Sequence, residues 1–460
     1  MEYLILVVFV LGYVFIALEH NFKVDKAASA LLTGTICWGL FVTGIHEVPA
    51  HLAEDFASFQ LGFIGDAKLA LNTFFEHRLL HHMEDISSIL FFLLGAMTIV
   101  ELVDAHEGFS VITDRIKTKN KVVLMWILAL LTFFFSAVLD NLTTSIVMIS
   151  LLRKLIADKE TRWLYAGIVI ISANAGGAWS PIGDITTTML WIGNQLTSGV
   201  IITHLFLPSL ACLVAPLTIL SFTMKGEIER PQLEDKDKVD PTSQGERNLV
   251  FVLGVVGLLF VPVFKTVTHL PPFMGMMLSL GMMWVVTEII HRSKNHEERD
   301  HLSVIGVLRK IDSASVLFFL GILLAVAALQ EIGHLLAAAA WLRDNLGDVY
   351  AINVTIGFLS AIVDNVPLVA ASMGMYDITP AAANVVAGSW ESYFVQDGLF
   401  WQFLAYCAGT GGSALIIGSA AGVAVMGLEK IDFMWYVRKI SLLAIVGYLS
   451  GALVFWLMYR

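Results

Sequence analysis

The chain has 460 residues, of which 57% are hydrophobic and only 15% charged. A soluble domain carries about 25% charge, so this composition excludes an ordinary soluble enzyme and places the chain in the membrane class. The formal net charge of −11 excludes a nucleic-acid binder, and the absence of a nucleotide-binding motif argues against coupling to ATP.

Several apolar runs reach the ~20 residues needed to cross a ~30 Å hydrocarbon core. The first, YLILVVFVLGYVFIAL, lacks a basic start and a small-residue cleavage site, so it reads as a retained helix and not a signal peptide. Residues 46–86 carry His46, His51, His77, His81 and His82 and few basic residues. They read as a solvated amphipathic external loop, in preference to a metal or pH-sensing site. The third apolar run ends in GAMTIVELVDAHEGF, where Glu101 is either a proton-relay acid or an interfacial carboxylate. Cys37, Cys212 and Cys407 lie inside apolar runs with no pairing or metal spacing, which makes them small buried apolar residues.

Loop charge sets the orientation. Lys and Arg cluster at 23–26, 115–121, 153–162, 225–247 and 292–310, whereas 46–86, 194–200, 266–271, 341–348 and 376–399 are poor in them. The positive-inside rule makes the first set cytoplasmic and puts the N-terminus outside. The run 122–152 then poses a problem: its 31 residues carry one charge, Asp140, yet both flanks are basic. A straight helix of that length is about 46 Å long, too long for one crossing and too short for two. A re-entrant helical hairpin with DNLTT at its tip removes the conflict, because irregular backbone at membrane depth is tolerated where it is buried in protein or lines an aqueous cavity. It also explains a carboxylate that costs roughly 2.5–3.5 kcal/mol in lipid.

Next in the chain, residues 163–197 contain NAGGAWSPIGDITTT. Gly176-Gly177 loosens a helix here and Pro181 blocks it. The freed carbonyls, with Asn174, Ser180, Asp184, Thr186 and Thr187, make an oxygen-rich cavity suited to a hard monovalent cation. Asp184 equally fits the N-cap of the helix ITTTMLWIGNQL, and Thr186 and Thr187 fit its first turn.

After a charged linker at 223–247 the pattern recurs with external flanks. Hairpin 349–375 contains SAIVDNVPL, where Pro367 breaks the helix just after Asp364-Asn365, and 400–427 contains GTGGSALIIGS. SAVLDN (136–141) aligns with SAIVDN (360–365), and SANAGGAWSPIGD (172–184) with CAGTGGSALIIGS (407–419). The second half offers Thr410, Ser413 and Ser419 but no carboxylate in its broken helix. The chain therefore reads as an all-α polytopic membrane protein of two inverted repeats, 1–222 and 248–460. Each repeat holds about five transmembrane helices, one re-entrant hairpin and a helix broken at the midplane, the pattern that marks a secondary transporter's binding site.

At LDNLTTS, SANAGGAWSPIGDITTTMLW, IVDNVPL and GTGGSALIIGSAAGV the chain resembles the ion transporter superfamily. Within it the likeness is to the NhaD-type sodium/proton antiporters, from about residue 88 onward. The superfamily also includes arsenite permeases and dicarboxylate and citrate carriers. The resemblance implies a homodimer in the lipid bilayer of a bacterial cytoplasmic membrane, with a static scaffold and a mobile, elevator-type transport domain. It implies roles in cation binding or transport for Asp140, Asn141, Thr143, Asn174, Asp184, Thr186, Thr187, Asp364, Asn365, Ser413 and Ser419. Sodium is expected at Asp140, Asn141, Asn174 and Asp184. The transported ions are Na+ or Li+ and H+, with no cofactor and no enzymatic reaction.

On that reading cation and proton compete for one carboxylate site, with Asp140 leading and Asp364 or Asp184 supporting. An arsenite permease or sodium-coupled anion carrier is the alternative within the superfamily. The aspartates at both tips repel an anion, and no Lys or Arg lies between 122 and 152 or between 350 and 399. An intramembrane aspartyl protease using Asp140 and Asp364 as a dyad leaves the repeat unexplained. A channel lined by the same polar tips stays open.

Overall fold

The computed structural model describes residues 2–17, 19–44, 46–64, 66–109, 116–231, 242–294, 301–380, 385–386 and 388–460. The charged middle of the expected linker, 232–241, lies outside them. In chain order the main helices are α1 (Glu2–Ala17), α2 (Lys26–Gly44), α3 (Ala53–Leu61), α4 (Ala67–Ala105), α5 (Lys121–Leu139), α6 (Asn141–Leu155), α7 (Lys159–Gly177), α8 (Ile185–Ile192), α9 (Ser198–Thr223), α10 (Gln244–Thr268), α11 (Pro272–Ile290), α12 (Ser313–Ile332), α13 (His334–Leu346), α14 (Val349–Leu359), α15 (Asn365–Met375), α16 (Leu399–Gly411), α17 (Ala420–Glu429), α18 (Phe433–Lys439) and α19 (Ser441–Tyr459). Two isolated bridges are the only β pairings among the described residues, so the protein is all-α. Helix starts follow side-chain capping: Asn120, Asp158, Ser243 and Asp432 each accept from the backbone N–H three residues on.

Eight of the described helices are long and apolar enough to cross a membrane: α2, α4, α5, α9, α10, α11, α12 and α19. The expected ten counted the first apolar run as a full crossing. Among the described residues that run forms α1, whose 16 residues span about 24 Å, fewer than the ~20 residues of a full crossing. The expectation of an external loop at 46–86 needs a larger correction. That stretch holds α3 and the first turns of α4, a continuous helix of 39 residues. Phe74 and Phe75 are buried on it, and Arg78 and His82 of it face a partner on another helix.

The chain divides into two compact units, each drawn from both halves of the sequence. One comprises Met1–Phe91, Asp312–Ile352 and Val366–Ile378. Its core joins Cys37, Trp38 and Phe41 of α2, Phe74 and Phe75 of α4, and Ala327, Ala328 and Ile332 of α12. Glu331 of α12 is fully buried there, with Arg78 Nη2 and His82 Nε2 of α4 each 2.7 Å from its carboxylate. A buried carboxylate is sustainable when a guanidinium compensates it and its remaining lone pairs are bonded. His82, expected in solvent, instead lies against the buried Glu331 carboxylate.

The other unit comprises Phe92–Ile311, Asn353–Asn365 and Thr379–Arg460. In it α5 packs on α7, α9 on α19 and α10 on α11. Glu429 at the end of α17 accepts from Arg153 Nε of α6 and Arg162 Nε of α7, both at 2.7 Å. Its carbonyl accepts from Trp163 Nε1 at 3.0 Å. Every expected site residue belongs to this second unit.

Candidate functional site

The long apolar run breaks at a single residue. Asp140 separates α5 from α6 with φ 73° and ψ 160°, a conformation that costs roughly 1–3 kcal/mol for a residue with a side chain. Its carboxylate is spent on the break itself. Oδ1 accepts from Thr143 N and Oδ2 from the Thr143 hydroxyl, both at 2.8 Å. Thr143 is thus a direct partner of Asp140. In the second half the chain leaves α14 at Leu359 and re-enters a helix at Asn365, with Asp364 just before it.

The helix α7 runs through Asn174 to Gly177, and the chain then turns through Pro181 before α8 begins. The turn is stitched to the end of α5. Ser136 Oγ donates to Ala173 O and Ser180 Oγ to Ala137 O, both at 2.5 Å. Thr187 Oγ1 donates to Ser180 O at 2.8 Å and to Asp184 O at 2.9 Å, so Thr187 holds the turn closed. Asp184 caps α8, its Oδ1 accepting from Thr186 N at 3.1 Å. Ser419 occupies the same position before α17 and accepts from Gly422 N at 3.2 Å.

These breaks bring a set of amides, hydroxyls and one carboxylate together. Asn141 Nδ2 donates to Asn174 Oδ1 at 3.0 Å and to Asp184 Oδ2 at 3.2 Å. Asn365 Nδ2 reaches the same Asp184 Oδ2 at 3.4 Å. Asn174 Nδ2 donates to Ser413 Oγ at 2.9 Å and Ser419 Oγ at 3.0 Å. Asn141, Asn174, Asp184, Asn365, Ser413 and Ser419 are all buried.

Both Asp-Asn pairs deliver their asparagines to Asp184, which makes it the centre of the described hydrogen-bond network. Of the four residues expected around sodium, Asn141, Asn174 and Asp184 are joined by direct hydrogen bonds; Asp140 adjoins them through the chain. Glu101 lies on α4 and shares no described hydrogen bond with the set. No Lys, Arg or His side chain is bonded to Asp184 among the described hydrogen bonds. The described residues also hold no group of three His, Cys, Asp or Glu placed to bind a metal. Oxygen donors around one carboxylate suit a hard cation.

Two residues were visible in the repeat register and passed over. Ser136 and Ser360 align, and Ser360 Oγ donates to Ala408 O at 2.9 Å just as Ser136 does to Ala173 O. The register is the signal that could have found them. It also equates Asn174 with Gly409 of α16.

A family model described as "Citrate transporter" matches residues 13–393, so the likeness includes the N-terminal helices, for which no motif was recognised. The chain is 50% identical over 372 residues to "Sodium/proton antiporter 1" of Arabidopsis thaliana, an alignment that covers 81% of this chain and 62% of that protein. It spans less than two thirds of that relative. With "Sodium/proton antiporter 2" of Arabidopsis thaliana the identity is 43%, over 97% of both chains. With "Na(+)/H(+) antiporter NhaD" of Vibrio cholerae it is 30%, over 95% of this chain and 87% of the other. The solved YdaH transporter of Alcanivorax borkumensis shares the fold, with a TM-score of 0.56 and 11% identity over 93% of this chain and 98% of its own.

Proposed function

The chain belongs to the citrate transporter family, among the NhaD-type sodium/proton antiporters, and from that premise we propose that it exchanges Na+ or Li+ for H+ across a membrane. The observation that carries this reading is the Asp184 carboxyl, buried among carboxamides and hydroxyls with no cationic side chain bonded to it. A buried carboxylate is tolerated when it is neutralised by a proton or coordinates a cation. One carboxyl with two alternative occupants is the elementary unit of exchange. An anionic substrate such as citrate would instead meet Asp184, Asp140 and Asp364 together, a like-charge arrangement that works against it.

The architecture we infer is two inverted repeats, 1–222 and 248–460, with re-entrant hairpins at 122–152 and 349–375. Matched contacts support the repeat. Besides the Ser136 and Ser360 pair, a Cβ at Gly176 would fall against Phe133 O, and one at Gly411 against Gly357 O. The offsets match the alignment in each case. In this reading the hairpins and broken helices travel together, elevator-fashion, within each protomer of a homodimer. The chain sits in a bacterial cytoplasmic membrane with its N-terminus outside, as the basic loops indicate.

The test uses purified protein in sealed vesicles that hold a proton gradient, with internal pH as the readout. NaCl and LiCl should collapse the gradient with the wild type and leave it standing with Asp184→Asn, while KCl and sodium-free citrate should not act. Uptake of labelled citrate or arsenite without any cation-driven proton movement would replace the antiport reading with the anion-carrier one.

A further inference from the structure

One residue beside the Asp184 carboxyl contributes no side chain. Gly409 of α16 stands there: a Cβ at this residue would lie 3.3 Å from Asp184 Oδ2, 3.4 Å from Ala178 Cβ and 3.7 Å from Thr186 Oγ1. A side chain at residue 409 would sit directly against both oxygens. Thr186 Oγ1 is buried beside the Asp184 carboxyl and finds no partner of full hydrogen-bond geometry. A buried hydroxyl in that condition is uncommon and calls for an explanation. A carboxylate oxygen and a hydroxyl oxygen thus both lie within reach of one point in front of a glycine.

The internal alignment sharpens this. Residue 409 corresponds to Asn174 in the first half, and there the position is filled by a carboxamide bonded to Ser413 and Ser419. The two halves treat the equivalent position in opposite ways, one closing it with an amide and the other leaving it bare beside the carboxylate.

Resting on the antiport reading, we propose that Gly409 is a specificity-determining position. Its missing side chain leaves room for the transported cation against Asp184 Oδ2 and Thr186 Oγ1, and the backbone of α16 limits how large that cation can be. Oxygens hold calcium, a cation close to sodium in radius, at about 2.3–2.6 Å. A methyl group at residue 409 would lie within 3.7 Å of both oxygens and so would occupy part of the volume that sodium needs. Lithium, being smaller, loses less.

The experiment compares wild type, Gly409→Ala, Thr186→Val and Thr186→Ser in the same vesicles, measuring half-saturating Na+ and Li+ for proton exchange. Gly409→Ala should raise the sodium value about tenfold or more, the scale on which one methyl group discriminates in a pocket, and the lithium value by much less. Thr186→Val should raise both values, and Thr186→Ser, which keeps the hydroxyl, should restore them. A Gly409→Ala protein that changes both ions alike, or neither, overturns the proposal and leaves the antiport reading intact. If Gly409→Ala does not insert, the Thr186 variants decide: a Thr186→Val protein indistinguishable from wild type overturns it. A wild type that exchanges neither ion for protons would instead defeat the antiport reading, and this proposal with it.

Discussion

Two aspartates begin helices in this site, and the structure gives them different work. Asp140 holds a strained backbone, and both its carboxyl oxygens are engaged by Thr143. Asp184 caps with one oxygen and keeps the other for the asparagines of both tips. Asn caps a helix about as well as Asp and is among the few residues that tolerate positive φ. Asp140→Asn should therefore fold and retain exchange within roughly tenfold, whereas Asp140→Ala should lose about 0.5–2 kcal/mol of stability with its cap. Asp184→Asn should also fold but lose exchange by about 100-fold or more, since an amide neither binds nor releases the proton. Vesicle assays beside melting curves in detergent separate the two; the reverse order, with Asp140→Asn inactive and Asp184→Asn active, would return Asp140 to the centre. Why the sequence alone favoured Asp140 is plain at this scale. Its place in the middle of an uncharged run can be read locally, but the partners that set Asp184 apart lie at separations of 181 residues for Asn365 and 239 for the Asn174–Ser413 link.

The elements were legible where local chemistry decides them. Asp140 interrupts an apolar run, Gly176-Gly177 and Pro181 end α7, and the chain breaks at these places. The start of α4 was hidden because Arg78, His81 and His82 look like solvated residues. Arg78 and His82 are one helical turn apart, and their partner Glu331 is 253 residues away from Arg78, which no periodicity reports. The same kind of tie joins three elements at Glu429. Its carboxylate is nearly inaccessible between Arg153 and Arg162, so the ends of α6 and α17 and the start of α7 meet at one shared charge. Glu429→Gln would leave two guanidinium groups without their counter-charge. A fully buried pair costs about 3–5 kcal/mol when one partner is removed, and partial exposure of the arginines brings this to roughly 2–3 kcal/mol. The variant should melt several degrees lower with its half-saturating sodium unchanged. A normal melting temperature would show that solvent replaces the tie, and a large change in sodium affinity would show that Glu429 acts on the site as well as on the fold.

For the molecule as a whole, the repeat in the sequence and the division in space do not coincide. The proposed repeats run 1–222 and 248–460, but each compact unit takes segments from both. Repeats that exchange segments in this way have no independent cores; the site is assembled from both halves, with Asp184 from one and Asn365, Ser413 and Ser419 from the other. The proposed opposite orientation of the halves then makes a sharp demand on sidedness. The segment after the first tip, at Glu160, follows a basic flank, and the segment after the second tip, at Asp377, lies in a stretch without Lys or Arg. Inverted repeats put these equivalent loops on opposite faces of the membrane. Both residues are exposed, and the three native cysteines are buried, so a new thiol at either position can be labelled against a quiet background. In right-side-out vesicles a membrane-impermeant maleimide should modify Asp377→Cys and spare Glu160→Cys, and inverted vesicles should reverse the result. Labelling of both from one face would mean parallel repeats, and the tips would then enter from the same side; the matched serine contacts would survive that outcome, but alternating access through two opposed hairpins would not.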